Sequence, residues 1–403
     1  MNASASSPKT AGAIWLLAAF AAGIIVSLTT LAVVGRQAAE KNFHPGFTRF
    51  HQKIAPDTKY YPTIHEMMAI VRERAAGGKI LVVVGGNSIL YGVGQPAGHV
   101  WTERLQRELG PAYAVVNLAM RGAGVTDCAA VVAEALRTEF PRQIYLANAS
   151  PTQASFPDGT PSYRFVFWEA IAKGLLIDDP TRTEAIRERY RLRPDTLGGL
   201  PEQRLREALD AILSFDDFWN RFTFATCNTI WTRERPVGLD SFAPRKIYTD
   251  NEPDYLTFPI LDRRPTGWRF DAELGFSRDV SLLAFTLAPS GLWVPNQPLW
   301  DALAKSIGGA IPPSLRARTL IILTRNNPYY LDRLTPAEQQ RDDLAHTLSV
   351  QVWQHAGCES VDCGRGYTID DYGDRIHLSS TGGEKLAQQI ATEVRRISTK
   401  LQY

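Results

Sequence analysis

A chain of 403 residues with 21% charged side chains and a formal net charge of +2 is long enough for one large domain or for two, and its balanced charge carries no sign of an extended polyanion-binding surface. Nucleic acid is therefore not an expected partner, and a polar or amphiphilic small group is the expected substrate. The four cysteines include no CxxC pair, so no metal and no cofactor are expected.

After a ten-residue tail, residues 11–35, AGAIWLLAAFAAGIIVSLTTLAVVG, carry no charged side chain. At about 1.5 Å per residue they exceed the roughly 30 Å of a bilayer core. A signal-peptide apolar region is only ~7–15 residues long, so the segment reads as an uncleaved transmembrane anchor. The expected location is single-pass in the inner membrane, with the folded domain on the periplasmic or exterior side. Lys9 before the segment and Arg36 and Lys41 after it give no positive-inside bias of their own. The exterior placement leans instead on cysteine usage: the count is even, and Cys358 and Cys363 flank a short loop, CESVDC, that a disulfide can close. The alternative is four unpaired thiols, some of them buried as small hydrophobes.

Residues 36–60 read as a polar connector. The folded domain is expected over 61–400, opening with a helix at TIHEMMAIVRERAA (63–76) and a strand at ILVVV (80–84), a continuous apolar run bounded by glycines. The same grammar repeats in a helix at 99–110, a strand at 112–117, a helix at 124–140 and a strand at 143–147. Strands alternating with helices of that length predict a parallel sheet covered on both faces. The alternation stops at Pro151 and resumes at TLIILT (319–324), followed by a polar helix at about 335–348, a strand SVQVWQ (349–354) and a closing helix from Ser379 to about Arg396. Residues 151–315 thus form a large insertion, mostly helical, holding six of the nine tryptophans. Such an aromatic run serves either as core or as a binding platform against a cleft, and substrate specificity is expected there.

Three stretches carry candidate chemistry. The first strand ends in Gly85-Gly86-Asn87-Ser88, a small hydroxyl where open parallel sheets place their ligands, although turn and cap chemistry alone also favours these residues. Near the far end stand Asp374-Arg375-Ile376-His377-Leu378-Ser379. An aspartate three residues before a histidine on a turn can fix the imidazole's tautomer and stabilise its charged form; a solvated loop with Ser379 as helix cap accounts for the same letters. Between them, Asn117-Leu118-Ala119-Met120-Arg121-Gly122 and Asn148-Ala149-Ser150-Pro151 follow the second and third strands, where a glycine turn and an asparagine cap are equally ordinary.

Taken together, these blocks resemble the SGNH family, also called GDSL-type esterases and acyltransferases. In that family a Gly-Asp-Ser block carries the nucleophile and a late Asp-x-x-His block completes the triad. The resemblance covers residues 60–150 and 315–400, with Asn87 where the family has aspartate and a third block reduced to Asn148. It implies a flavodoxin-like three-layer α/β/α fold with a central parallel sheet. It also implies Ser88, Asp374 and His377 as catalytic residues, and backbone donors at Ser88 and Gly122 with Asn148 as an oxyanion hole, because a tetrahedral intermediate needs preorganised donors. Asn87 and Arg121 become substrate-contact candidates, Arg121 for an anionic group. An anchor on such a core is similar in layout to DltD-like and alginate-acetylation-type proteins. Ester hydrolysis or O-acyl transfer on an acylated cell-envelope glycan or lipid is then expected, beside a membrane-bound O-acyltransferase as partner. The competing expectation is a non-catalytic envelope protein that binds glycan or a membrane partner.

Overall fold

The computed structural model describes residues 8–40, 47–49, 53–55, 58–59, 63–126, 128–149, 170–171, 173–177, 179–181, 209–219, 221–222, 252–279 and 284–403. Helix α1, Pro8–Ala39, contains a 28-residue span, Gly12–Ala39, that is long and apolar enough to cross a bilayer. Its first part stands clear of the protein body, whereas Gly35 and Ala38 are buried against it.

The body is an α/β unit around five parallel strands: β1 (Ile80–Val84), β2 (Tyr113–Asn117), β3 (Gln143–Ala149), β4 (Thr319–Thr324) and β5 (Glu359–Cys363). Their order is β2-β1-β3-β4-β5, with every neighbouring pair parallel. The chain leaves β1 for one neighbour and later returns on its other side, which makes a switch point between β1 and β3. In doubly wound sheets the crevice at such a point, beyond the carboxyl ends of the strands, is where ligands bind.

Alternation along the buried strands feeds two separate cores, because successive side chains point to opposite faces. Leu81, Val83, Tyr145, Ala147 and Ile321 pack under α2 (Ile64–Arg74), α5 (Ala129–Ala135) and α8 (Pro336–His355). Val82, Val84, Ile144, Leu146 and Ile322 pack under α4 (Trp101–Leu109) and α9 (Ser380–Lys400). Helices on both faces of a parallel sheet make three layers. Within the insertion, α6 (Gly267–Asp279), a short antiparallel hairpin (Phe285–Leu287 with Trp293–Pro295) and α7 (Gln297–Ala310) are described. Trp300 and Phe285 from this part meet edge to face inside the first core, Trp268 is exposed, and Trp168 and Trp231 lie outside the described residues.

Four expectations are corrected. SVQVWQ is not a strand: α8 runs through it to His355, and the fifth strand is Glu359–Cys363. Its letters fit both periods, but Ala345, Ser349, Val352 and Trp353 are among the buried residues, the i, i+4, i+7, i+8 spacing of a helix. Consequently CESVDC is not a closed loop. Cys358 and Cys363 are free thiols, separated by an extended strand that spans roughly 16 Å at about 3.3 Å per residue, more than the ~7 Å between Cα atoms that a disulfide tolerates. They serve as buried hydrophobes in the two opposite cores, and burial pushes the Cys358 thiol up to about 12. Cys128 is likewise buried in the first core, and Cys227 lies outside the described residues. The helix expected over 124–140 is confined to Ala129–Ala135, since Val125 lies in the turn before it with its carbonyl accepting the Tyr145 hydroxyl at 2.6 Å. Finally, the folded body begins before residue 60: Phe47 belongs to the first core and Arg49 is fully buried.

Candidate active site

All the chemistry-bearing stretches come together at the carboxyl ends of the strands. β1 runs through Gly85 and Gly86 into a one-turn helix, α3 (Ser88–Tyr91), whose N-cap is Asn87. The Asn87 side-chain oxygen accepts the Ile89 N–H at 3.0 Å, so the cap fixes Ser88 as the first helical residue. Gly86 has φ +86°, and a Cβ there would fall 2.3 Å from Asn148 Oδ1. Only glycine allows β3 to approach the Ser88 turn this closely.

The closing loop is built as tightly. Tyr372 and Leu378 form an antiparallel bridge, and Gly373 N–H donates to the His377 carbonyl at 2.9 Å. Inside that loop Asp374 Oδ1 accepts the backbone N–H groups of Ile376 (2.9 Å) and His377 (2.8 Å). Asp374 Oδ2 lies 2.7 Å from His377 Nδ1, and His377 Nε2 lies 2.8 Å from Ser88 Oγ. A carboxylate, an imidazole and a hydroxyl are thus in line at hydrogen-bond distance, the arrangement in which Nδ1–H is fixed on the carboxylate and Nε2 is free to take a serine proton. Burial raises the Asp374 carboxyl, but the hydrogen bond and charge of His377 and the two backbone donors outweigh it and hold it below the usual carboxylate range.

Asn148 sits opposite. Its Oδ1 accepts the Asn87 N–H at 2.9 Å and its Nδ2 donates to Asn87 Oδ1 at 2.8 Å, a reciprocal pair across the switch point. Asparagine in place of aspartate at position 87 therefore changes little, since the acceptor oxygen is the atom in use. The amide nitrogen of Asn148 carries a second hydrogen beyond the one given to Asn87. Gly122 lies in an exposed turn after β2 with φ +77°; that turn is tied to the Ser88 turn by the Met120 N–H on the Gly86 carbonyl at 3.0 Å. Arg121 is ion-paired with Glu252 of the insertion and its guanidinium lies 5.4 Å over the Tyr91 ring.

Several residues that hold the site were not legible as site residues. Arg49 reaches from the anchor connector to donate to the Gly92 carbonyl at 2.6 Å and the Gln95 carbonyl at 2.5 Å, pinning the exit of α3. Gln95, itself buried, accepts the Trp101 N–H and donates to the Leu378 carbonyl at 3.1 Å, which couples the serine loop to the histidine loop. Asn327 donates to the Asp374 carbonyl at 3.0 Å. From the insertion, Tyr255 lies in the crease between Gly94 and Gly373, where a Cβ on either glycine would come within 2.5 Å of its ring; burial, reinforced by Asp374 and Glu252, pushes its phenol up. The neighbouring Asp254 accepts from Ser380 at 3.3 Å. Residues 252–258 thus strap the insertion across both loops, with the Gly94 N–H donating to Glu252 at 3.1 Å and the Gly94 carbonyl accepting the Tyr255 N–H at 3.1 Å.

In comparison with known proteins, no family model matches the chain and no curated protein matches it.

Proposed function

We propose that this chain is a membrane-anchored serine esterase or O-acyltransferase of the SGNH type, acting on acylated cell-envelope glycan or lipid. The observation that carries the reading is the unbroken line Asp374 Oδ2, His377 Nδ1, His377 Nε2, Ser88 Oγ, with links of 2.7 and 2.8 Å. Ser88 Oγ attacks the ester carbonyl while His377 Nε2 takes its proton, and the resulting imidazolium is stabilised by Asp374. Negative charge develops on the former carbonyl oxygen and is met by the backbone N–H groups of Ser88 and Gly122 and the second N–H of Asn148. Collapse breaks the ester C–O bond, His377 returns the proton to the departing alcohol, and the acyl group remains on Ser88. Water attacking that acyl-enzyme gives hydrolysis; a sugar hydroxyl gives transfer.

The membrane-length helix α1 supports placement at a bilayer, with the domain on the exterior side, where envelope polymers and a membrane-bound O-acyltransferase partner would be met. The free cysteines no longer speak for that side, so it rests on the similarity of layout. The test is turnover of p-nitrophenyl acetate by the full-length protein: Ser88→Ala is expected to abolish it. A folded Ser88→Ala protein with unchanged turnover would leave the chain as a non-catalytic binding protein instead.

A further inference from the structure

Residues 209–219 and 221–222 have their polarity inside out. In the helical turns 209–213 and 215–219, continued at 221–222, Asp210, Ser214 and Asp217 are buried, while Ile212, Phe215, Trp219 and Phe222 are 60, 39, 52 and 43% exposed. This orientation is locked by a charge cluster. Lys173 Nζ lies 2.8 Å from Asp210 Oδ2 and 3.5 Å from Asp217 Oδ2, His65 Nδ1 lies 3.0 Å from Asp217 Oδ2, and Thr63 donates to Asp217 Oδ1 at 2.6 Å. Rotating the segment to bury its rings would strand these buried charges without their partners. The outward rings form one surface, with Phe215–Trp219 centroids 6.2 Å apart and Trp219–Phe222 5.7 Å apart.

The place of this stripe says what covers it. The Ile212 carbonyl accepts from Arg36 Nη2 at 3.4 Å, and a Cβ on Gly35 would come 2.4 Å from the Ser214 carbonyl. The segment therefore packs backbone to backbone on α1 at the level of Arg36, the first charged residue after the uncharged run. That level is where a spanning helix leaves the hydrocarbon for the headgroups, the depth favoured by tryptophan and by apolar faces of interfacial helices.

We propose that residues 209–222 are a second membrane contact, lying in the interface of a phospholipid bilayer with Ile212, Phe215, Trp219 and Phe222 in the acyl–headgroup boundary. Two contacts fix the orientation of the domain, which a single helix and connector would leave free to swivel. The inference rests on α1 spanning the membrane, and the test separates the two. Full-length protein is reconstituted in nanodiscs containing only phospholipid, with single spin-labelled cysteines at Phe215→Cys and Trp219→Cys; Val26→Cys reports the anchor and Thr399→Cys, on the layer across the sheet, reports solvent. The signal of the unsubstituted protein is subtracted, and Ile212→Cys replaces either stripe variant that fails to fold by circular dichroism. Relaxation by oxygen exceeding that by a water-soluble nickel chelate at 215, 219 and 26, with the reverse at 399, is the expected result. Labels at 215 and 219 that relax like position 399 while position 26 stays in lipid overturn the interfacial contact alone, and point to a protein covering the stripe. A label at 26 in water overturns the anchor and the contact together.

Discussion

Two histidine–aspartate pairs in this protein make an instructive contrast. At the switch point, Asp374 spends one oxygen on two backbone N–H groups of its own loop and the other on His377, whose far nitrogen meets Ser88 Oγ. Beside the anchor, Asp217 divides its oxygens among Thr63, His65 and Lys173. Burial works against the ionised form of both carboxylates, and in both their partners hold the carboxyl below its usual range. The difference lies in what the pair is aimed at. The first orients an imidazole toward the Ser88 hydroxyl; the second neutralises charge so that a polar helix face can be buried. An Asp–His contact alone is thus no evidence of catalysis, and the third partner decides.

The contrast breaks most sharply at Ser88. Ser88→Ala and His377→Ala should each remove nearly the whole covalent route, a loss of order 10⁶-fold in kcat for triads that act as a unit, whereas His65→Ala should leave kcat for p-nitrophenyl acetate within a few-fold of the parent. Comparable losses at His65 and His377 would erase the distinction. Asp374→Asn should fold and lose roughly 10⁴-fold in kcat, because the imidazole is left in the wrong tautomer. A milder effect is expected at the oxyanion side: Asn148→Ala should lower kcat by roughly 10²–10³-fold with KM little changed if its second N–H meets the developing charge. A loss of melting temperature without loss of kcat would instead limit Asn148 to bracing Asn87.

The smallest effect concerns pH. Because the folded-state pKa of Asp217 is depressed, its stabilisation is fully present above the unfolded carboxylate value near ~4 and is lost as pH falls through the folded value. Asp217→Asn should therefore start from a lower melting temperature at neutral pH, since Lys173 and His65 lose a partner, and should decline less steeply between about pH 5 and 3. Parallel acid limbs for the two proteins would show that Asp217 is not held ionised by folding.

Much of the sheet was legible because its strands are buried on both faces and read as unbroken apolar runs, ILVVV above all. The grouping of Ser88, Asp374 and His377 was legible because the loop chemistry is local: Asp374 and His377 are three residues apart, and Ser88 follows a strand directly. Legibility failed where one pattern served two periods, as in SVQVWQ, whose valines suit a strand by alternation and a helix by the Val352–Trp353 face. It failed again where chemistry suggested a bond that geometry forbids, at Cys358 and Cys363. The supports of the site were hidden for a different reason. Arg49, Gln95, Tyr255 and Asn327 act through contacts between distant segments, and nothing in their immediate neighbours marks them. The aromatic run of the insertion was left open between core and binding platform, since apolar spacing does not say what the face it defines will meet.

Labelling by a fluorophosphonate probe tests the central claim most directly, because the reagent needs an activated serine and no guess about the acyl group or acceptor. Full-length protein is treated with the probe, digested and mapped by mass spectrometry, with His377→Ala and His65→Ala treated alongside. The expected result is a single adduct on Ser88, present in the His65→Ala protein and lost or strongly slowed in His377→Ala. A folded parent protein that leaves Ser88 unmodified, or that labels equally fast without His377, would contradict the account.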